Sequence, residues 1–431
     1  MLFIFLLLLL LWIASIRYRY VRCRQSQTSS SHKVIAFFHP YCSGGGGGER
    51  VLWKMIHVLQ KYVQQSQRQL KLSIVIYTLD QPTETYRQDV LQHVRDRFSI
   101  DIQQPKSQSK SSARSLLVDF VHLHTYKQFL APMPYLSLLM ESLGTMVVAY
   151  HALRQSPVQP TIFCDTTGCA FTYFVARIMF GITHIVAYVH YPTISTDMLQ
   201  LVWERRRQTY TKQPTRLHNT NSTFRNLVSQ LKTMLKLIYY VWFAVLYGMV
   251  GSLATLVMVN SSWTRNHISF LWKYATWKRR IHIVYPPCAV KDILQTSSLT
   301  APRQPVVVSI GQFRPEKDHE LQIEALACLL KDHPQTKVRL VLIGSCRGKA
   351  DEERLQALRE LTQKLHLQPS VEFVVNQPYS VIQEWLSKAS IGIHTVCTKG
   401  RNFVAVILYH LILICRPFFT DVERTFWHWG S

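Results

Sequence analysis

Short apolar runs alternate with segments of helical spacing along nearly the whole chain, and this alternation restricts the fold more than any other feature. KVIAFFHPY, from Lys33, reads as a buried strand, and ERVLWKMIHVLQKYV after it sets Val51, Met55, Leu59 and Tyr62 on one helical face. The pattern recurs in LSIVIYTL (72–79), a polar helix, LLVDFVHLHTY, a helix from about Pro134 to Leu153, TIFCDTT (161–167) and THIVAYVHYP (183–192). The proline- and serine-containing stretch SSLTAPRQP then marks a linker. A second series follows: VVVSIGQF (306–313), a helix from about His319, VRLVLIGS (338–345), a charged helix through about Leu365, VEFVV (371–375), a short helix ending near Ser390 and IGIHTV (391–396). The expected fold class is therefore α/β, with two doubly wound, Rossmann-like domains at 33–297 and 306–396. Open sheets of this kind bind ligands beyond the carboxyl ends of their strands, so two in series are expected to face a cleft.

The first sixteen residues, MLFIFLLLLLLWIASI, carry no charge, and Arg17, Arg19, Arg22 and Arg24 follow. A cleaved signal would carry its basic residues before the apolar run, so residues 1–16 read as a transmembrane signal anchor with its arginine side in the cytosol. Leu237 to Val259 is a second uncharged stretch, 23 residues long. Gly248 and Gly251-Ser252 interrupt it, and TLVMVNSSWT reads as a strand leading to a helix cap. What remains, about Met234 to Val250, preceded by Lys232 and Lys236, reads as an apolar helix docked on a membrane surface. A core helix and a second span are the alternatives. Basic clusters flank it at Arg205, Arg206, Arg207, Lys212, Arg216 and Arg225, and at Lys273, Lys278, Arg279 and Arg280.

The formal net charge of +24 draws the chain to polyanions without saying which. No zinc module or ribonucleoprotein motif accompanies the charge, and no nucleic acid is expected as a partner. The nine cysteines are scattered, without the close pairs of a zinc finger. They point to a reducing compartment and to no metal, which leaves the sequons at Asn221 and Asn260 unused.

Three loops carry candidate chemistry. Gly44, Gly45, Gly46, Gly47 and Gly48 lie between the first strand and the first helix, where bare N–H groups and a helix N-terminus suit a phosphate, although a flexible turn has the same composition. The loop lacks the Lys-Ser/Thr of a P-loop and the spacing of a dinucleotide fingerprint. In GQFRPEKDHELQIEAL, Arg314 and Lys317 stand between strand and helix, an arrangement suited to the diphosphate of a nucleotide-activated donor. In VHYPTISTDM, His190 sits at another strand end, where an imidazole contacts a sugar or moves a proton.

HPYCSGGGGGERVLW, YVHYPTISTDM, VNSSWTRNHI and IGQFRPEKDHELQIEAL, in that order, resemble the endoplasmic-reticulum α-1,2-mannosyltransferases that extend the dolichol-linked oligosaccharide from GDP-mannose. The resemblance covers some nine tenths of the chain, from the N-terminal segment to about IGIHTV. It implies a retaining GT-B enzyme of protein N-glycosylation in the endoplasmic-reticulum membrane, its catalytic domains facing the cytosol, that adds the fourth and fifth mannoses to a lipid-linked diphosphate core. GDP-mannose and the dolichol-diphosphate-linked oligosaccharide are the implied substrates, other mannosyltransferases of the pathway are implied partners, and no metal or other cofactor is implied. Arg314 and Lys317 match the residues that neutralise the departing diphosphate, His190 matches the histidine facing the transferred sugar, and the glycine loop would wall the cleft.

The chain departs from the family after IGIHTV. The resemblance implies there a glycine-containing segment with two glutamates separated by seven residues that grips the donor, but CTKGRNFVAVILYHLILICRPFFTDVERTFWHWGS follows, with Asp421 and Glu423 its only carboxylates. The sequence thus predicts an incomplete second domain, a non-family tail at 397–431 and a chain inactive as written. The alternative function is a non-catalytic binder of lipid diphosphate or glycan.

Overall fold

The computed structural model describes residues 11–20, 22, 32–66, 71–103, 117–131, 133, 135–198, 200, 220–287, 303–346, 348–397 and 403–405. The first ten residues of the apolar N-terminal stretch, Arg24, the cluster of Arg205, Arg206, Arg207, Lys212 and Arg216, linker residues 297–302 and most of the tail, with Asp421 and Glu423, lie outside the described residues. The chain divides into two compact units, Met1–Cys288 and Ala289–Ser431.

Unit 1 is built on β1 (His32–Phe38), β2 (Lys71–Thr78), β3 (Leu117–His122), β4 (Ile162–Asp165), β5 (His184–Val189), β6 (Leu256–Val259) and β7 (Ile281–Ile283). They form one sheet in the order β3-β2-β1-β4-β5-β6-β7, every pair parallel. Alternate residues of β1 enter separate cores on the two faces, Val34, Ala36 and Phe38 on one and Ile35 and Phe37 on the other. This is why the strands read as continuous apolar runs. The order reverses between β1 and β4, so the loops that follow these two strands diverge and leave a crevice.

Helix α1 (Gly47–Gln65) covers β1 as expected, but its buried face is shifted. Leu52, Trp53, Ile56 and Val63 are buried with Val51, whereas Tyr62 is 62% exposed and Met55 and Leu59 lie only partly buried at the flank. The Trp53 indole donates to the Cys42 carbonyl at 3.1 Å, and this polar contact turns the helix away from the face that periodicity selects. Helices α2 (Tyr86–Phe98) and α3 (Ser137–Gln155) complete the first half of the unit.

Residues 11–20 are helical and pack on this unit. Ile16 and Tyr20 are buried in its core, and the Tyr20 hydroxyl donates to the Pro160 carbonyl at 3.1 Å. Helix α4 spans Thr220–Gly251 without a break, so Lys232 and Lys236 lie within it rather than before it. Gly248 does not interrupt the helix. A Cβ there would strike the Leu271 carbonyl, and one at Gly251 would strike the ring of the fully buried Trp272. The two glycines let α4 lie against the end of α5 (Ser262–Leu271), with Tyr247 and Phe243 inside the core beside Trp272 and Phe171. A short helix, α6 (Lys273–Trp277), leads to β7.

Unit 2 holds a four-stranded parallel sheet in the order β10-β9-β8-β11, from β8 (Gln304–Ile310), β9 (Arg339–Gly344), β10 (Val371–Val375) and β11 (Ala389–Ile393). Helices α7 (His319–Asp332) and α8 (Lys349–Lys364) bury Ile323, Leu326 and Leu358 against one face, and α9 (Tyr379–Lys388) rests on the other. The run IGIHTV is not one strand. It breaks at His394, and β12 (Thr395–Cys397) pairs antiparallel with β13 (Phe403–Ala405). Thr395 is held by the loop after β8, its hydroxyl donating to the Lys317 carbonyl at 2.6 Å and accepting from Gln322 at 2.6 Å, and this pulls the chain off the line of β11.

Valine at Gly251 has to displace the Trp272 ring, so Gly251→Val is expected to destabilise unit 1 by about 2–3 kcal/mol. Urea unfolding of the variant checks this, and an unchanged midpoint would mean that the two helices are not held in register by this contact.

Candidate functional site

In unit 1 the chemistry gathers at the carboxyl ends of β1, β2, β4 and β5. The chain leaving β1 is pinned before it reaches the glycines. The Asp80 carboxylate beyond β2 accepts from the Ser43 N–H at 3.0 Å and the Tyr86 hydroxyl at 2.8 Å, and Thr78 donates to the Pro40 carbonyl at 3.2 Å. Cys42 is fully buried here, which pushes its thiol up to about 12. The glycine run is therefore the open part of a fixed loop, and Gly46 precedes the first turn of α1.

His39 lies directly after β1, 4% exposed, with its Nδ1 2.7 Å from the Thr166 hydroxyl beyond β4. This contact joins the two sides of the strand-order reversal. Burial first, and the neighbouring His190 second, pull His39 down to about 4, so the ring is neutral near pH 7. His190 follows β5 and is also lowered by burial. Its Nε2 is buried without a hydrogen-bond partner, and it lies 3.6 Å from where a Cβ on Gly48 would stand. The structure thus brings His190 and the glycine loop together.

The remaining motif residues hold these in place. Ser261 caps α5 by accepting from the Thr264 N–H at 3.1 Å, and Thr264 reaches both Asn260 and the His190 carbonyl. Thr196 meets His267, which also lies 3.6 Å from Asp197. Asp165 is fully buried and raised by that burial, and it anchors the turn after β4 by accepting from Tyr173 at 2.6 Å and from Thr167. VNSSWT and TISTDM therefore fix the backbone that presents His190.

In unit 2 the loop after β8 carries Arg314 and then a tight turn, Pro315–Lys317, before Asp318 in the left-handed region (φ 45°) opens α7. The loop crosses the end of β9 closely: a Cβ on Gly344 would strike the Gly311 carbonyl. Lys317 Nζ lies 3.3 Å from Nε2 of His394, the residue at which β11 ends. Burial and the adjacent ammonium both lower His394, which leaves a neutral ring able to accept from Lys317. The buried His319 is likewise lowered, to about 4, by burial and then by Lys317. The Lys317 ammonium beside a neutral imidazole, three residues after Arg314 and at the start of a helix, puts positive charge at the β8/β11 reversal.

Two family descriptions match the chain: "ALG11 mannosyltransferase N-terminus" over residues 32–272 and "Glycosyl transferases group 1" over residues 290–400. The mouse protein named GDP-Man:Man(3)GlcNAc(2)-PP-Dol alpha-1,2-mannosyltransferase is 39% identical over 402 residues, 90% of this chain and 73% of the mouse protein. The Xenopus laevis protein of the same name is 41% identical over 84% of this chain and 68% of its own length. The chain belongs to the ALG11 mannosyltransferase family. Among solved structures, the apo form of OtsA aligns with a TM-score of 0.50 at 10% identity over 86% of this chain and 80% of that one. The architecture is a GT-B-like glycosyltransferase fold with parallel sheets.

Within this ALG11-family chain, the sequence singled out His190, Arg314, Lys317 and the five glycines, but not His39, Thr166 or His394. His39 and His394 had a readable signal, since each directly follows a strand at the reversal of its sheet. Thr166 gave none, because its role depends on β4 lying beside β1 across 127 residues of chain.

An unfolded histidine takes up its proton near 6.5, whereas native His39 does so only near 4. Between these values the unfolded chain binds more protons, so unit 1 loses stability as pH falls from 6.5 towards 4, by at most roughly 3 kcal/mol from this residue. In His39→Gln the loss is expected to be smaller over the same window. Urea unfolding at pH 7 and pH 4.5 measures it, and equal losses in both proteins would show that His39 protonates freely in the fold.

Proposed function

We propose that this chain transfers mannose from GDP-mannose, in α-1,2 linkage and with retention, to the dolichol-diphosphate-linked oligosaccharide, adding the fourth and fifth mannoses for protein N-glycosylation. The observation that carries this reading is the 39–41% identity to relatives named for that reaction, spanning both units. The site chemistry supports it. GDP leaves with growing negative charge on its diphosphate, and cations fixed beforehand stabilise that charge without reorganising. Arg314 and Lys317 are the donor diphosphate-binding and catalytic residues in this reading, with Lys317 held by its turn and by His394. His190, neutral and with an open Nε2, acts at the transferred sugar. No step draws on a metal, because the two side-chain cations supply the charge.

The same reading places the chain at the cytosolic face of the endoplasmic-reticulum membrane. Helix α4 is long and apolar enough to cross a bilayer, yet Phe243 and Tyr247 are buried in unit 1. Leu231, Leu235, Ile238, Trp242, Val245 and Met249 form an exposed stripe on the opposite side. A helix packed along one face and apolar along the other suits the surface of a bilayer rather than its interior. Exposed Phe270, Tyr274 and Trp277 beyond its end, overlaid by Lys273, Arg280 and Lys278, suit the headgroup layer. The apolar N-terminal residues would anchor the chain in the same membrane.

Transfer is measured with GDP-mannose and a lipid-linked trimannosyl acceptor. Arg314→Ala and Lys317→Ala are each expected to lower kcat by about 100-fold or more while the chain stays folded. Turnover by wild type with neither variant impaired would remove both residues from the donor site, and no turnover by wild type would return the chain to a non-catalytic binder. For the membrane face, an environment-sensitive dye on Val245→Cys is expected to shift to the blue with phosphatidylcholine–phosphatidylserine vesicles. A dye on Arg87→Cys, on α2, is expected not to shift. Equal responses would exclude α4 as the docking face.

A further inference from the structure

The five glycines have a use in this structure that differs from holding a phosphate. A Cβ on Gly44 would strike Oε1 of Glu49, and one on Gly46 would stand 2.7 Å from its Oε2. The space that these two missing side chains leave is filled by the Glu49 carboxylate, which bends back over the loop from the first turn of α1. That position suits a negative charge, because the helix N-terminus presents unpaired N–H groups. A second anion on the same loop would meet a like charge at close range. The cradle is occupied by the protein's own acid.

We propose that Glu49 is an acceptor-binding residue, its carboxylate accepting hydrogen bonds from sugar hydroxyls of the acceptor glycan; this rests on the mannosyl-transfer reading above. A carboxylate is acceptor-only, and its two oxygens match two neighbouring hydroxyls. Among the described residues no hydrogen bond or ion pair engages Glu49, so that capacity is open. The groups around the loop fit a polyhydroxyl ligand as well. The open His190 Nε2 lies against Gly48, with the buried His39 ring behind it, and the Arg97 side chain lies 3.2 Å from a Cβ position on Gly45. Gly47 has nothing within 4 Å of its Cβ position, which leaves one side of the loop open for a ligand to approach. Gly44 and Gly46 therefore set where the acid stands, and Glu49 sets what the loop binds.

The test compares wild type, Glu49→Gln and Glu49→Asp as full chains, in transfer kinetics and in saturation-transfer NMR with free α-linked mannotriose. Glu49→Gln keeps the size and removes the charge. It is expected to raise the acceptor KM by about tenfold or more, since hydrogen bonds to a charged group are worth that much, and to leave the KM for GDP-mannose unchanged. Glu49→Asp is expected to recover part of the loss. A structural role would instead lower the thermal midpoint and affect both substrates together. Wild-type turnover with the same acceptor KM in Glu49→Gln overturns the proposal. If wild type shows no turnover, the transfer reading fails by itself and the NMR decides the site. A mannotriose signal lost in Glu49→Gln supports Glu49 as a glycan ligand, whereas equal signals, or none in wild type, overturn it.

Discussion

Parallel strand pairing is the constraint on which the rest of this molecule depends. Because every pair in both main sheets runs the same way, each strand must return through a helix, and every strand-to-helix loop falls on the same edge. At one place in each sheet the order reverses, between β1 and β4 and between β8 and β11, and successive loops part there instead of packing together. His39 and Thr166 meet across the first reversal, and Lys317 and His394 across the second. The polar contacts that shape the two candidate sites are thus consequences of strand order, made by residues far apart in the chain.

Both sites share an electrostatic device, the neutral imidazole. Burial keeps His39, His190 and His394 from gaining a proton near neutral pH. In unit 2 this lets His394 accept a hydrogen bond from Lys317 without adding a competing cation, so the ammonium is placed while keeping its charge for a ligand. In unit 1 the coupling of His39 to His190 means that protonating one ring opposes protonating the other. A positively charged site would hold anions of any kind. Unit 2 thus carries a cationic loop, and unit 1 a carboxylate-and-imidazole loop, each beside the strand-order reversal of its sheet.

Strands were legible in the sequence because burial on both faces leaves a run with few polar residues, and β1, β2, β5, β8 and β9 fall where those runs lie. Finer features failed where a side-chain contact overrode the local pattern. Periodicity placed Tyr62 inward, but the Trp53 bond to the Cys42 carbonyl sets the rotation of α1. IGIHTV has the composition of one strand, and only the grip of Lys317 and Gln322 on Thr395 shows why it breaks. Gly248 looked like a helix break, yet α4 runs through it and ends at Gly251, and the two glycines are the points where α4 meets Leu271 and Trp272. A glycine in sequence reports that a side chain is missing, and only the fold says what occupies the space.

The same reasoning applies to α4 itself, where sequence alone left three readings open. Length and composition measure how apolar a segment is, but not in which direction the apolar groups point. The fold supplies the direction: Phe243 and Tyr247 point into a core shared with Trp272, and Ile238, Trp242 and Val245 point away from it. Crossing a bilayer would expose the first set to lipid and strip the core of unit 1 of two large aromatic rings, with a loss of several kcal/mol. Leaving the second set in water forgoes the burial of a continuous apolar stripe. A membrane surface, as proposed above, would cover the exposed face and leave the buried one in place, without moving any residue of the sheet that carries His39 and His190 at its edge.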